Sequence, residues 1–258
     1  MLDNQTSPFD FKGQVAVVTG ASSGIGVQMS MALARQGADV ALLARRVEKL
    51  ETVAKEIRKL GVKCVPVKCD VTDTEAVKAA VETVKTELGR CDVLINNAGG
   101  NKGGASAEFS DEDWNFVVEL NLTSVFKVSR EFGKLMIEQN YGRIINIASM
   151  YGIVGSGLDC TAYHATKAAV NNMTRSMAAE WAKHGITVNA LCPGFFISEL
   201  TEELLTTESF QAWLKTVCPM NRHGEPGELD TATLFLAAKG SSYCTGVILP
   251  IDGGYTCV

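Results

Sequence analysis

The chain has 258 residues, 46% hydrophobic and only 7% aromatic, and its 24 Lys and Arg against 29 Asp and Glu leave a formal charge of −5. A chain this long buries roughly 70–75% of its unfolded surface, so it needs neither disulfides nor a structural metal to fold. Its acidic balance argues against a nucleic acid or an anionic membrane as partner, since either would want a basic face. The eight cysteines (64, 69, 91, 160, 192, 218, 244, 257) form no CxxC pair and have no neighbouring histidine cluster. They read as small apolar residues of a reducing compartment rather than as a zinc site or disulfide frame. The first dozen residues, MLDNQTSPFDFK, are polar and acidic where a signal peptide would carry a cationic end and an apolar run. The longest charge-free stretch, residues 13–34, is too rich in Gly, Ser, Thr and Gln for a membrane span. The expectation is a cytoplasmic protein without membrane or nucleic-acid partners.

The first predicted strand, residues 14–19 (QVAVVT), runs directly into Thr19-Gly20-Ala21-Ser22-Ser23-Gly24-Ile25-Gly26, and an apolar helical segment over residues 27–34 follows at once. A glycine-rich turn alone is no more than a tight turn. Between a strand and a helix it becomes a candidate pyrophosphate site, because glycines let the backbone approach the phosphates and the helix start supplies free amides and positive dipole. The second strand, residues 39–43, ends in Leu43-Ala44-Arg45-Arg46, where an NAD-specific site places a carboxylate for the ribose 2′-hydroxyl. No acid is present there. Arg45 suits the 2′-phosphate of NADP, with Ser22 or Arg46 assisting, so NADP is favoured over NAD; alternatively both arginines are solvated residues opening the next helix.

That helix carries Val47, Leu50, Ala54, Ile57 and Leu60 at helical period, with Gly61 as a left-handed stop. A strand over residues 63–68 follows. The next helix (Val77, Ala80, Val81, Val84, Leu88) starts at a capping box of Thr72 and Glu75 and is closed by Gly89. After the fourth strand, residues 92–96, Ser110 opens a helix whose first turn is acidic. Strands over residues 143–148, 186–192 and 247–251 complete the set. Seven apolar β-branched runs alternating with helical segments predict one α/β domain over residues 1–258: a Rossmann-type doubly wound parallel sheet covered by helices on both faces.

Tyr163 and Lys167 stand four apart in a helical segment running to about residue 183, which puts both on one face. A free phenol titrates near 10. An ammonium about 4 Å away is worth at most roughly 4 kcal/mol at an effective dielectric of 20, or about three pKa units, so Lys167 is expected to draw Tyr163 toward neutrality as an acid/base. His164 faces away by about 100° on that helix. Trp114, Trp181 and Trp213 read as packing residues. Cys192 precedes Pro193 near the expected site and suggests sensitivity to thiol reagents.

Eight motifs appear in order: TGASSGIG (19–26), CDVTD (69–73), NNAG (96–99), NLTSVF (121–126), INIAS (145–149), YHATK (163–167), VNALCPG (188–194) and DGG (252–254). Over essentially its whole length the chain resembles the short-chain dehydrogenase/reductase family. In pattern it is most similar to the gluconate 5-dehydrogenase-like and 3-oxoacyl-carrier-protein reductase-like branches. The resemblance implies hydride transfer between a nicotinamide cofactor and a secondary alcohol or ketone. It implies a catalytic set of Asn121, Ser149, Tyr163 and Lys167. Ser149 would hydrogen-bond the substrate oxygen, and Tyr163 would be the acid/base. Lys167 would lower the Tyr163 pKa and hold the nicotinamide ribose, and Asn121 would place a water linking Lys167 to solvent. On the residues alone Asn121 reads better as a structural amide within a helix, and its place in NLTSVF reverses that reading. The cofactor set is Gly20, Ser22, Ser23, Gly24, Ile25, Gly26, Arg45, Arg46, Asp70 and Val71 at the adenine, Asn97, Ala98 and Gly99 after the fourth strand, Tyr163 and Lys167, and Pro193, Gly194, Phe196 and Ser198 at the nicotinamide. No metal is implied.

Residues 198–220 form the expected helical lid, with Leu204, Leu205, Phe210, Trp213 and Leu214 as its apolar face and Phe195, Phe196, Met150 and Tyr151 completing the pocket. The expected substrate is a sugar acid, ketose or polyol, with Lys102 or Arg222 as the candidate cation for a carboxylate. A 3-oxoacyl thioester reductase, a hydroxysteroid dehydrogenase and a non-catalytic NADP-binding sensor are the competing readings. The long helices at residues 111–138 and 160–183, together with the family resemblance, imply a homodimer or homotetramer.

Overall fold

The computed structural model describes residues 7–197 and 201–258, with Glu202 and Leu204 described by backbone alone. Seven parallel strands form one sheet: β1 (Val15–Thr19), β2 (Asp39–Ala44), β3 (Cys64–Lys68), β4 (Val93–Asn96), β5 (Gly142–Ile147), β6 (Ile186–Pro193) and β7 (Ile248–Ile251). Their order is β3-β2-β1-β4-β5-β6-β7. Each expected strand is present within one residue at either end. The helices are α1 (Gly24–Arg35), α2 (Val47–Arg58), α3 (Thr74–Leu88), α4 (Asp111–Val118), α5 (Ser124–Gln139), α6 (Thr161–Trp181), α7 (Glu202–Leu205), α8 (Glu208–Val217) and α9 (Asp230–Ala237).

The strands lack polar alternation because both faces are covered. In β2, Val40, Leu42 and Ala44 pack with α1, α2 and α9, whereas Ala41 and Leu43 pack with α3, α5 and α6. Successive side chains of a strand point to opposite faces, so an apolar residue is required at every position. The chain winds outward through β2 and β3, then returns to pair β4 with the other edge of β1. The reversal opens a crevice at the carboxyl ends of β1 and β4, where α/β sheets bind ligands.

Four local expectations change. The cap of α3 is Asp73, whose carboxylate accepts from the amides of Glu75 and Ala76; Thr72 instead donates its hydroxyl to Asp70. An acid two or three residues before the first free amides satisfies two of them at once, which a threonine at position 72 does not reach. The second helix stops at Arg58, and Gly61 takes its positive φ of 84° in the turn beyond. The long helix expected over residues 111–138 is two helices joined by a π-helical turn, Glu119–Thr123. Of the tryptophans, Trp181 packs in the core and Trp213 against the rings of Phe195 and Phe210, but Trp114 is 41% exposed on α4. Among the described residues no helix is long and apolar enough to cross a membrane.

Candidate active site

The loop between β1 and α1 is held open by contacts that exclude side chains. Gly20 has φ 63°, and a Cβ on Gly26 would lie 2.6 Å from both the Gly20 carbonyl oxygen and Asn97 Nδ2. Asn97 donates from Nδ2 to the carbonyls of Thr19 (2.9 Å) and Gly20 (3.2 Å). Thr19 Oγ1 in turn accepts from the amides of Asn97 (2.9 Å) and Ala98 (3.0 Å). The loop after β4 thus fixes the loop after β1. The start of α1 has neither a side-chain cap nor an acid in its first turn, so its amides and dipole face the crevice unanswered by the helix itself.

Arg46 reaches over this loop. Its Nη2 donates to Ser22 Oγ (2.9 Å) and Ser23 Oγ (3.0 Å), and its Nε to Ser22 Oγ (3.3 Å). Arg45 is exposed and lines the same crevice. The adjacent pair therefore divides its roles: the sequence favoured Arg45 as the main phosphate partner, but the cation tied to the loop serines is Arg46. Asp70 borders the crevice and accepts from the amide and hydroxyl of Thr72. Burial tends to raise its carboxyl pKa, but the Thr72 hydrogen bonds and the nearby Arg45 and Lys127 cations outweigh it and hold the group below the usual range. Val71 and Ile25 complete this end.

At the other end of the crevice, a volume of about 430 Å3 overall, lie Gly99, Ser149, Tyr163, Lys167, Pro193, Gly194 and Phe196. Ser149 follows β5 and caps a short turn, Met150–Gly152, by accepting from the Tyr151 amide (3.1 Å). Tyr163 and Lys167 come from successive turns of α6. Lys167 is buried and donates from Nζ to the Ile147 carbonyl (2.8 Å), lying 5.5 Å from the centre of the Tyr163 ring. Asn121, fully buried in the π-helical turn, grips Gly100 in a two-way pair: Oδ1 accepts from its amide (2.9 Å) and Nδ2 donates to its carbonyl (2.8 Å), with a longer bond to Thr166 Oγ1 (3.4 Å). Such turns re-aim a side chain that a regular helix would direct elsewhere.

The electrostatics depart from the sequence expectation. Burial raises the Tyr163 phenol, with a hydrogen bond to Ser149 pulling the other way. Lys167 is not among the groups that act on it; its Nζ is bonded to the Ile147 carbonyl and stands 5.5 Å from the ring centre. Burial also pushes Lys167 itself down to about 8. Its stability contribution has a definite sign. Below pH 8 the lysine is charged in both states and the fold bears the full cost of desolvating it. Between pH 8 and 10.5 only the unfolded chain keeps the proton, so this contribution becomes more favourable as pH rises. We expect the stability of Lys167→Met relative to wild type to fall by about 2–3 kcal/mol between pH 7 and pH 10. Denaturant titrations of the cofactor-free protein at both pH values measure it, and a pH-independent difference would contradict it.

Ser198, the expected start of the lid, and the Leu204 side chain lie outside the described residues. Leu205, Phe210, Leu214 and Cys218 form a buried cluster against Phe195, Ile197, Trp213 and Val217. The Phe196 ring is buried against Gly224, and its carbonyl accepts from Thr201 Oγ1 (2.6 Å). His164 bonds to Ser156 and Cys160 and stacks on Tyr151 at 4.5 Å. Neither candidate cation lines the crevice: Lys102 lies 3.5 Å from Asp113, and Arg222 makes a two-pronged pair with Glu228 at 2.7 Å. Cys192 has no exposed surface, and burial pushes its thiol up to about 11, which argues against the expected reactivity. The sequence reading gave no role to Thr19 and Thr166, although both lie within its motifs, nor to Gly100, which adjoins one, nor to Thr201. It also missed Tyr255, whose ring meets both Tyr151 and Phe195 edge to face. Among the described residues no three His, Cys, Asp or Glu are grouped to hold a metal.

The short chain dehydrogenase family model matches residues 14–209. Gluconate 5-dehydrogenase of Gluconobacter oxydans (strain 621H) is 39% identical over 249 residues, covering 96% of each chain. Galactitol 2-dehydrogenase (L-tagatose-forming) of Cereibacter sphaeroides is 40% identical, covering 96% of this chain and 97% of that one. Among solved structures, a gluconate 5-dehydrogenase from Burkholderia cenocepacia J2315 in complex with NADP and tartrate superposes with TM-score 0.93 at 35% identity, covering 97% of this chain and 98% of that one. With its sheet order, glycine loop and Ser149, Tyr163 and Lys167 gathered at one crevice, the chain belongs to the short-chain dehydrogenase family and is an oxidoreductase acting on CH–OH or keto groups.

Proposed function

We propose that the protein binds NADP(H) and interconverts a secondary alcohol and a ketone on a polyol, ketose or sugar acid. The observation that carries this reading is the convergence of Ser149, Tyr163 and Lys167 at one end of a crevice whose other end is the open start of α1 with Arg45 and Arg46. The residues fit a dinucleotide. Gly20 and Gly26 leave a cradle that a Cβ would fill, and Arg46 with Ser22 and Ser23 offers donors suited to a 2′-phosphate. When bound there, the nicotinamide supplies or accepts the hydride.

The chain's own residues handle the proton and the oxygen. The raised Tyr163 pKa keeps the phenol protonated at neutral pH, which suits donation to a carbonyl oxygen in the direction of ketone reduction. Ser149 Oγ already accepts from the Tyr151 amide, so its hydroxyl proton is available to Tyr163 or to the substrate oxygen. Lys167, anchored on Ile147, presents its remaining protons toward the crevice, and Asn121 fixes Gly100 at the rim. Asp70 and Val71 would bound the adenine, and Pro193, Gly194 and Phe196 the nicotinamide.

Among the described residues lining the crevice, the only cations are Arg45, Arg46 and Lys167. No cation remains for a substrate carboxylate, which favours neutral polyols and ketoses over sugar acids. The similarity to the galactitol enzyme supports this preference, whereas the similarity to the gluconate enzyme supports a sugar acid. Oxidation of galactitol and gluconate, and reduction of ketoses, acetoacetyl thioesters and oxosteroids, each with both cofactors, separates these classes; turnover of none of them would leave the sensor reading. Residues 198–220 are read as the lid over the substrate. Phe116 and Phe126, each 44% exposed on α4 and α5, support pairing into a dimer or tetramer, which a single-chain mass in light scattering would refute.

For the cofactor, Arg46→Ala is expected to raise the KM for NADPH by about 10–100-fold, the worth of a charge-assisted phosphate contact, and that for NADH by less than about threefold. Arg45→Ala should do the same to a smaller degree. Equal effects on the two cofactors would remove the 2′-phosphate role.

A further inference from the structure

Residues 163, 167 and 171 lie on one face of α6, four apart. The third, Asn171, is buried and belongs to no motif of the family pattern. Its amide is engaged at both ends by two other elements: Nδ2 donates to the Gly152 carbonyl (3.0 Å), and Oδ1 accepts from Cys192 Sγ of β6 (3.4 Å). Gly152 ends the turn that starts at Ser149, and it sits directly on α6. A Cβ there would lie 2.7 Å from the Lys167 carbonyl carbon and oxygen and 2.9 Å from Asn171 Nδ2. Cys192 faces the backbone amide of Ser149 from the other side. Hence Asn171 is tied directly to the far end of the Ser149 turn and, through Cys192, to the strand that pairs with β5 just before Ser149.

We propose that Asn171 is a positioning residue for the reaction, holding the Ser149 turn in register with Tyr163 and Lys167 through Gly152 and Cys192. The need for such a clamp follows from the fold. Ser149 hangs from the end of β5, whereas its partners ride on α6; the bonds that join the two elements directly, Lys167 to the Ile147 carbonyl and Asn146 to Thr174, stop short of the Ser149 turn itself. Burying a primary amide requires that both its ends be satisfied. Here one bond ties the catalytic helix to the Ser149 turn and the other ties it to β6. Cys192 serves as the neutral donor the amide oxygen needs, which explains a buried thiol beside the site that has no reactive role. A displacement of Ser149 by about 1 Å would be felt as a large loss in rate.

This inference rests on the catalytic reading of Ser149 and Tyr163. Asn171→Ala is expected to lower kcat by about tenfold or more, with the dissociation constant for NADPH changed by less than about twofold. The limb of the kcat/KM pH profile belonging to Tyr163 should move upward, because the Ser149 hydrogen bond that draws the phenol down is weakened. Cys192→Ala, which leaves the amide oxygen without its donor, should shift both readouts in the same direction by less, and it decides the matter if Asn171→Ala does not fold. A purely structural role would lower the melting temperature but leave the pH profile and kcat unmoved well below it. That result in a folded variant would overturn the proposal. Tyr163→Phe assayed alongside keeps the two ideas apart: if it retains turnover, the catalytic reading fails, whereas if it is dead and Asn171→Ala is normal, only the positioning role fails.

Discussion

Tyr163→Phe is expected to lower kcat by about 10²–10⁴-fold while the affinity for NADPH stays within about twofold. The substitution removes one oxygen. The phenyl ring still packs over Lys167, and the loop, arginine and Asn97 contacts that form the dinucleotide end lie elsewhere. Only the proton delivered to the substrate oxygen and the hydrogen bond with Ser149 are lost. Cofactor fluorescence or calorimetry reports the binding, and loss of absorbance with an active ketone reports the chemistry. Unchanged turnover would sink the acid/base assignment. A wild-type protein that binds the cofactor yet turns over no carbonyl would favour the sensor reading.

Gly26→Val should have the second largest effect, abolishing dinucleotide binding at concentrations about a hundredfold above the wild-type dissociation constant, a loss of at least about 2.7 kcal/mol. The new Cβ would stand 2.6 Å from the Gly20 carbonyl oxygen and from Asn97 Nδ2. The first of these is backbone and cannot swing aside, so the loop must move away from the start of α1. Moving it also breaks the bonds from Asn97 that join the loops after β1 and β4. A fall in melting temperature of several degrees should accompany the lost binding. Gly240→Ala is the control, since nothing lies within 4 Å of its Cβ position. Wild-type binding by Gly26→Val would refute the cradle.

Much of the fold was legible because burial on both faces removes polar alternation from the strands, and a run such as VAVVT then fits little besides a strand inside a covered sheet. The site motifs were legible because each is a constraint on the backbone at a turn, and glycine or a short amide is the only way to meet it. What the sequence hid were choices made by neighbours distant along the chain. Arg45 and Arg46 differ by one position, and only the path of β2 into α2 determines which turns over Ser22 and Ser23. Composition cannot show that Lys167 is spent on Ile147, nor that burial lifts Tyr163 instead of letting the lysine lower it. The π-helical turn at Asn121 leaves no periodic trace, since one extra residue between two helices looks like an unbroken apolar pattern. Tyr255 meets Tyr151 and Phe195 only because β7 closes the sheet beside β6, which no local signal announces.

The place of β7 at the sheet edge also bears on how the chain is made. Its predecessor β6, eight residues long and buried throughout, pairs with β7 from Ala190 to Pro193. Until residue 251 has left the ribosome, that stretch is an apolar edge with unpaired backbone groups, and the α9 segment that helps cover it has only just emerged. Such an edge is open to pairing with another unfinished chain. A chain cut between α9 and β7 keeps that edge bare and is expected to aggregate under conditions in which the chain with β7 does not.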